Sequence, residues 1–211
     1  MKIAVIGAGN VGGTLGRSLA QKGHEIIFGV RDPQSEKVQS LLSSIPNNAK
    51  AESNQAACAE SEVIILTTPW QTTQAAIESC GDLTNKILID CTNPLTEDFS
   101  GLTMGLTTSG GEQVAEWAKG AKVYKVFNQT GFGIMADPVL EGRKAVMFVC
   151  GDDEESKPTV IKLTEEVGFE TIDAGKLSTA RLLEPYAMLW IKLAIAHGLG
   201  RDFAFAIVRR N

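Results

Sequence analysis

Met1-Lys-Ile-Ala-Val-Ile-Gly-Ala-Gly-Asn-Val-Gly12 decides how the rest of this chain is read. Lys2 to Ile6 is rich in β-branched residues and holds no turn former, so it reads as a buried strand. Gly7, Gly9 and Gly12 follow with the spacing G-x-G-x-x-G, and a helical period starts at once with Val11, Leu15 and Leu19. Each glycine has a task in a turn that binds a dinucleotide. Gly7 permits the tight turn, Gly9 lets backbone approach a pyrophosphate, and Gly12 lets helix and strand pack closely. Ala8, Asn10 and Val11 fill out the loop, and the first free N–H groups of the helix face the phosphates with the positive end of its dipole. Glycine turns are common, but a turn between strand and helix at the first βαβ unit is the context this function needs.

The second strand, Glu25-Ile-Ile-Phe-Gly29, decides which dinucleotide is expected. NAD enzymes place Asp or Glu at its tip, to hold the ribose 2′-hydroxyl. Here the tip is Gly29-Val30-Arg31-Asp32-Pro33, and Arg31 stands where a guanidinium grips a 2′-phosphate. Asp32 falls after the arginine and starts the next helix, to which Ser35 and Lys37 add a hydroxyl and a second positive charge. NADP(H) is favoured over NAD(H); the competing reading is that Arg31 is a solvated surface charge.

Composition narrows the field. The chain has 211 residues, 44% hydrophobic and 21% charged, as a soluble globular domain with a real core would have. A formal net charge of −5 and the lack of a basic stripe argue against nucleic-acid binding. Lys192 and His197 interrupt the most apolar stretch, Ala187 to Leu199, which is too short for a membrane span. The four cysteines form no C-x-x-C pair and read as reduced thiols. With a strand beginning at residue 2 and no signal peptide expected, the location expected is cytoplasmic. No metal-ligand cluster stands out.

Strands and helices alternate along the remaining sequence. Pro33 to Ser44 reads as a helix, Ala49 to Ala51 as a short edge strand, Asn54 to Glu60 as a helix and Glu62 to Thr67 as a strand. Thr68 with Gln71 has the spacing of a capping box, with Pro69 at the first helical position and Trp70 next to it. Ligands in open α/β sheets lie beyond the carboxyl ends of the strands. Thr67 and Thr68 are therefore read as cofactor contacts, whereas Trp70 is a contact or simply part of a good helix start. Lys86 to Cys91 is the next strand and ends near Asn93. Leu95 to Thr108 is a long irregular stretch, read as a flap over the nicotinamide. Ser109 and Glu112 make a second capping box. Lys122 to Phe127 is a strand ending in Asn128 and Thr130, a third polar tip at one edge. Ala145 to Cys150 is a strand, Gly151 starts an acidic helix running to Val167, and Phe169 to Ile172 is the last strand. The order implies an α/β, Rossmann-type doubly wound, mainly parallel sheet with a short C-terminal helical segment. Residues 1–175 are expected to form the NADP-binding domain and 176–211 the helical segment. In the latter Leu182, Tyr186, Leu189 and Leu193 form a wide stripe that predicts a homodimer or higher homo-oligomer, and Pro185 starts or kinks the helix. His24 sits in a Gly-His-Glu turn and reads as structural, and His197 has no evident acid partner, so no catalytic side chain is assigned. Hydride transfer between two bound rings requires none.

The stretches GAGNVG, GHEIIFGVRDP, TTPW, CGDDEESK and DAGKLSTARLLEP resemble the NADPH-dependent coenzyme F420 reductases, also called F420:NADP oxidoreductases. GLGRDFAF and KVFNQ are also similar to the cytosolic domains of six-transmembrane ferric reductases, which use NADPH with a flavin. The resemblance implies a Rossmann domain and hydride exchange between NADP(H) and a deazaflavin. The chain departs from it with Val30 before Arg31 and with FNQTGFGIM opposite the second cofactor. The acceptor therefore stays open between coenzyme F420, FMN or FAD, and a quinone or ferric chelate. An NADPH-binding redox sensor without turnover and a small imine or β-hydroxyacid reductase are the other readings. The short C-terminal segment counts against the imine or β-hydroxyacid reductase.

Overall fold

The structure, a computed structural model, describes residues 1–210. Its centre is an eight-stranded sheet, and the strands that read as continuous apolar runs lie in the middle of it. In chain order these are β1 (Lys2–Ile6), β2 (Glu25–Gly29), β3 (Ala49–Glu52), β4 (Val63–Leu66), β5 (Ile87–Asp90), β6 (Lys122–Lys125), β9 (Val146–Gly151) and β10 (Glu170–Asp173). A separate two-strand hairpin, β7 (Val139–Leu140) with β8 (Arg143–Lys144), precedes β9. The sheet order is β10-β9-β6-β5-β4-β1-β2-β3. Strands β6 to β3 in that order are parallel, β9 pairs antiparallel with β6, and β10 is parallel to β9. Two edge strands thus run against the others, and the sheet is mainly parallel.

Alternation along the strands sends side chains to both faces, so each face needs a cover. Ile3 and Val5 pack with Leu15 and Leu19 of α1 (Asn10–Gln21) and with Val160 and Leu163 of α7 (Lys157–Val167). Ala4 and Ile6 pack on the other face with Ala57 of α3 (Asn54–Glu60), Ile77 of α4 (Trp70–Glu78) and Val114 of α5 (Gly110–Trp117).

Two helices start later than their sequences suggest, because an aspartate closes a turn first. Asp32 Oδ1 accepts the Gln34 N–H at 3.0 Å, and α2 spans Glu36–Ser43 rather than starting at Pro33. Asp153 Oδ1 likewise accepts the Ser156 N–H at 2.9 Å, and α7 starts at Lys157. At α5, Ser109 Oγ accepts the Glu112 N–H at 3.2 Å and donates to Glu112 Oε2 at 2.7 Å. Glu112 also holds Arg181 in a two-point pair at 2.9 and 2.6 Å, and that guanidinium, followed by Ser109, keeps its carboxyl below the usual range.

A single-turn 3₁₀ helix (Leu177–Thr179) leads into α8 (Ala180–Ile195), which carries Pro185 on its exposed face and continues past it. The leucine stripe divides. Tyr186 and Leu193 are half-buried, while Leu182 and Leu189 are 70% and 50% exposed; Leu183, Ala187 and Trp190 beside the stripe are buried. Beyond α8 the tail folds back: Phe203 O accepts the Trp190 Nε1–H at 2.9 Å, and Phe205 O accepts the Val146 N–H at 2.9 Å. A run of ring contacts, Phe148–Tyr186–Phe205–Phe203–Trp190, fixes tail, helix and β9 together.

One buried cation joins α8 to the sheet. Lys125 Nζ lies 2.7 Å from Asp90 Oδ2, 2.8 Å from Glu184 Oε1 and 2.8 Å from Thr92 O. Lys125 and Asp90 side chains are 0% exposed and Glu184 is 1%. Glu184 also accepts the N–H groups of Gly110 and Gly111, both at 2.9 Å, at the positive end of α5. Burial pulls the Lys125 ammonium down, but Asp90 and Glu184 more than offset it and hold its pKa above the ordinary value. Breaking such a group from one side strands the rest. Lys125→Met is expected to destabilise the fold by about 3–5 kcal/mol, read as a lower urea midpoint, because it leaves two carboxylates buried without their cation. A midpoint within error of the parent's would refute that role.

Candidate functional site

A cleft of about 1020 Å³ opens beyond the carboxyl ends of β1, β2, β4 and β5. The glycine turn forms its floor. Gly7 holds φ +102°, a left-handed conformation that side chains disfavour. Gly12 sits under the turn, where a Cβ would overlap Gly7 O and lie 2.6 Å from Thr67 Oγ1. Gly9 faces the opposite situation, with nothing within 4 Å of its would-be Cβ. Gly9 is also the N-cap of α1 and brings no side chain to satisfy the first N–H groups of the helix. A bare helix start with open space above it suits an anionic group. Ala8, Asn10 and Val11 line the same floor.

At the β2 tip, Val30, Arg31, Asp32, Ser35 and Lys37 all line the cleft. Arg31 is exposed and enters no ion pair among the described residues, so its guanidinium can meet a ligand. Asp32 is already engaged by the Gln34 N–H.

Beyond β4 the lining residues are Thr67, Thr68, Pro69 and Trp70. Thr67 Oγ1 lies 2.9 Å from Ile6 O and 3.1 Å from Gly7 O, so its proton is spent on stapling the glycine turn. The Thr68–Gln71 capping box does not form. Pro69 is itself the N-cap, and its carbonyl accepts Thr72 and Thr73 Oγ1–H at 3.0 Å each, while Thr68 Oγ1 pairs with Thr73 Oγ1. Gln71 reaches sideways instead, its Nε2 3.5 Å from Leu95 O in the flap. Trp70 lies against Trp117 of α5, ring centroids 5.2 Å apart, so it packs on a neighbour and lines the cleft at once.

The tips of β5 and β6 differ from one another. Asn93 lines the cleft and donates from Nδ2 to Asn128 O at 2.8 Å. Asn128 is 4% exposed and turns away, donating to Asn93 Oδ1 at 3.1 Å and Leu183 O at 3.3 Å. Thr130 also lies outside the cleft lining, its Oγ1 buried without a partner. Asn128 therefore ties β5, β6 and α8 together, whereas Asn93 faces the space. The flap contributes Leu95 and Phe99, and Phe132 of α6 (Phe132–Ala136) completes that end. The sequence pointed to both segments, the flap and FNQTGFGIM, but singled out none of these three side chains; for Phe132 the signal was an aromatic just past a strand tip. Cys91 lines the wall as a thiol pushed well up by burial and then by Asp90. No cluster of three or more potential metal ligands occurs among the described residues. No described helix is long and apolar enough to cross a membrane.

A doubly wound sheet with a glycine turn, a bare helix start and an arginine at the β2 tip defines a dinucleotide-binding protein of the Rossmann class. The family model described as "NADP oxidoreductase coenzyme F420-dependent" matches residues 2–94. The F420-dependent NADP reductase of Methanothermobacter marburgensis is 30% identical over 209 residues, covering 92% of this chain and 93% of that one. A solved structure from Arthrobacter sp. FB24, provisionally described as an F420-dependent NADP-reductase, is 33% identical with a TM-score of 0.90, covering 99% of this chain and 100% of that one. The metalloreductase STEAP3 of Rattus norvegicus is 27% identical over 184 residues, 87% of this chain but 36% of the rat protein. The chain belongs to the F420-dependent NADP reductase family.

The turn geometry separates two substitutions that look alike. Gly9→Ala is expected to keep the parent's thermal midpoint and weaken NADPH by at least about tenfold, because its methyl group would occupy the space above the turn. Gly12→Ala is expected to lower stability by about 1–3 kcal/mol through overpacking. Calorimetry and NADPH titration on both variants check this, and unchanged NADPH affinity in Gly9→Ala would remove the turn from the site.

Proposed function

We propose that this chain is an NADPH-dependent oxidoreductase that exchanges a hydride between NADP(H) and a planar second cofactor, with coenzyme F420 the first candidate. The observation that carries the reading is the β2 tip, where an unpaired Arg31 stands at the cleft and Asp32 is engaged by backbone. The relatives named as F420-dependent NADP reductases support the same pairing of substrates.

The residues present fit NADP(H): open backbone above Gly9, a bare helix start and two cations, Arg31 and Lys37, at one end. Bound NADPH supplies two electrons and a hydrogen nucleus as hydride, and a solvent proton balances charge on the reduced acceptor. The chain's own contribution is positioning. Gly7 to Gly12 hold the pyrophosphate, Arg31 and Lys37 grip the 2′-phosphate, Thr67 keeps the turn rigid and Thr68 and Asn93 orient the nicotinamide end. Asn128 acts from behind, by fixing the tips of β5 and β6. No side chain serves as acid or base; the catalytic effect is to hold two rings about 3–3.5 Å apart. Residues 1–175 are the nucleotide-binding domain and 176–211 the packing segment of a cytoplasmic enzyme.

Arg31→Ala should weaken NADPH by roughly tenfold to a hundredfold, the worth of about 1.5–3 kcal/mol for a charge-assisted bond, and leave NADH unchanged. Equal losses for both would leave Arg31 a supporting role. NADPH oxidation measured against coenzyme F420, FMN, FAD, a quinone and a ferric chelate tests the acceptor. Turnover with the ferric chelate alone would favour the chemistry named for the rat metalloreductase, and tight NADPH binding without turnover would favour a sensor.

Leu182 and Leu189 lie exposed on α8, and a second copy of the chain is their proposed cover. Light scattering at micromolar concentration should return a dimer or a multiple of it, and Leu189→Glu should return a folded monomer. A wild-type monomer would refute the assembly.

A further inference from the structure

The cleft is longer than a dinucleotide's binding residues. From Arg31 past β2 to Asn93 past β5 there are three inter-strand steps of about 4.8 Å, about 14 Å in all. Phe132 stands one strand further on, past β6, and Phe99 lines the same cleft from the flap that follows Asn93. Neither ring is there for the core: Phe99 is 59% exposed and Phe132 38%. Neither belongs to the ring pairs that tie Trp70 to Trp117 or the tail to α8.

Both rings are nevertheless held in place. Phe99 sits at the apex of a turn that is closed on itself. Thr96 N donates to Gly101 O at 3.0 Å and Phe99 N to Thr96 O at 3.0 Å. Asp98 Oδ1 accepts Thr96 Oγ1–H at 2.6 Å, Ser100 Oγ–H at 2.7 Å and Ser100 N–H at 3.1 Å. At the apex Phe99 holds φ +57°, a left-handed conformation that bulky residues seldom adopt. A loop that keeps a large, exposed ring in that conformation presents the ring; it does not bury it. Phe132 is held from below. A Cβ on Gly131 would come within 2.8 Å of the Trp190 ring, so the turn before α6 is pressed onto α8.

We infer that Phe99 and Phe132 form the two sides of a slot for the flat, fused-ring heteroaromatic acceptor, and so set the enzyme's preference for such rings over small imines or metal chelates. This rests on the cleft being the NADP(H) site. Aromatic faces favour offset or edge contact with a flat ring, and the end of the cleft beyond Asn93 is otherwise lined by the aliphatic Leu95. Both phenylalanines act by positioning, since a hydrocarbon ring has no proton to give.

The test measures binding of coenzyme F420 and FMN, by their own fluorescence, to the NADP⁺-loaded full chain, alongside steady-state turnover. Phe99→Gly is the informative variant, because glycine keeps the left-handed turn while deleting the ring. It is expected to weaken F420 by about tenfold, raise KM for the acceptor with little change in kcat, and keep NADPH affinity within about twofold. Phe99→Tyr should restore binding. Phe132→Leu, which keeps bulk and loses flatness, should weaken F420 several-fold. Wild-type binding of both rings by Phe99→Gly and Phe132→Leu would overturn the slot while leaving hydride transfer intact. Binding of F420 without hydride transfer would instead refute the proposed reaction and leave the slot standing. A wild-type chain that binds NADP⁺ and neither ring overturns the slot outright.

Discussion

Lys125 lies between Asp90 and Glu184 with no exposed surface, and three separate parts of the chain meet at its ammonium. Asp90 is the last residue of β5, Lys125 the last of β6, and Glu184 the fifth residue of α8. One cation against two carboxylates leaves an excess of negative charge, and the two glycine N–H groups that open α5 meet that excess. The site depends on this arrangement through short covalent paths. Asp90 Oδ1 also accepts the Thr92 N–H at 2.8 Å, which fixes the strand tip that carries Asn93. Glu184 neighbours Leu183, whose carbonyl accepts from Asn128. A hydrophobic replacement would pack as well, but it would not fix the register of a helix against two strand ends.

Much of this was legible in the sequence because local chemistry dictated it. The G-x-G-x-x-G turn, the apolar runs of β1, β4 and β5, and the Ser109 cap each depend on neighbours a few residues away. Arg31 lines the cleft for the same reason, since strand ends point to one edge. The buried ion group is not legible. Lys125 ends a KVYK strand that looks amphipathic, and Glu184 sits in a helix that looks like a leucine stripe; 59 residues separate them in sequence. The polar tip at Asn128 and Thr130 reads as a third wall of the cleft, yet Asn128 spends its hydrogen bonds on the β5–β6 junction and α8, and the Thr130 hydroxyl is buried without a partner. Thr68 with Gln71 has capping spacing, but Pro69 fixes the backbone so that its own carbonyl, with the hydroxyls of Thr72 and Thr73, takes over the helix start.

The reversal of β9 and β10 follows from the same limit. β9 is an apolar run in the manner of a parallel strand and β10 a short, half-exposed edge strand, and the direction of both is set by the chain between β6 and β9. That segment spends its length on α6 and the β7–β8 hairpin and returns on the same side. The helix that a parallel crossover demands is too short here, five residues in α6, to bring the chain back to the starting edge.

Vectorial synthesis gives the buried lysine a history. Asp90 and Lys125 leave the ribosome well before Glu184, so the pair from β5 and β6 is available before the carboxylate of α8. The amino end of α5 then waits with two bare glycine N–H groups until α8 emerges. Lys125 thus has one carboxylate partner nearer in the chain, and the second carboxylate, carried by α8, meets the two N–H groups that α5 already presents, so neither ion of the group is without a partner. Of the three members of the group Glu184 is the last in the chain, so the buried charge cluster is complete only when α8 is in place.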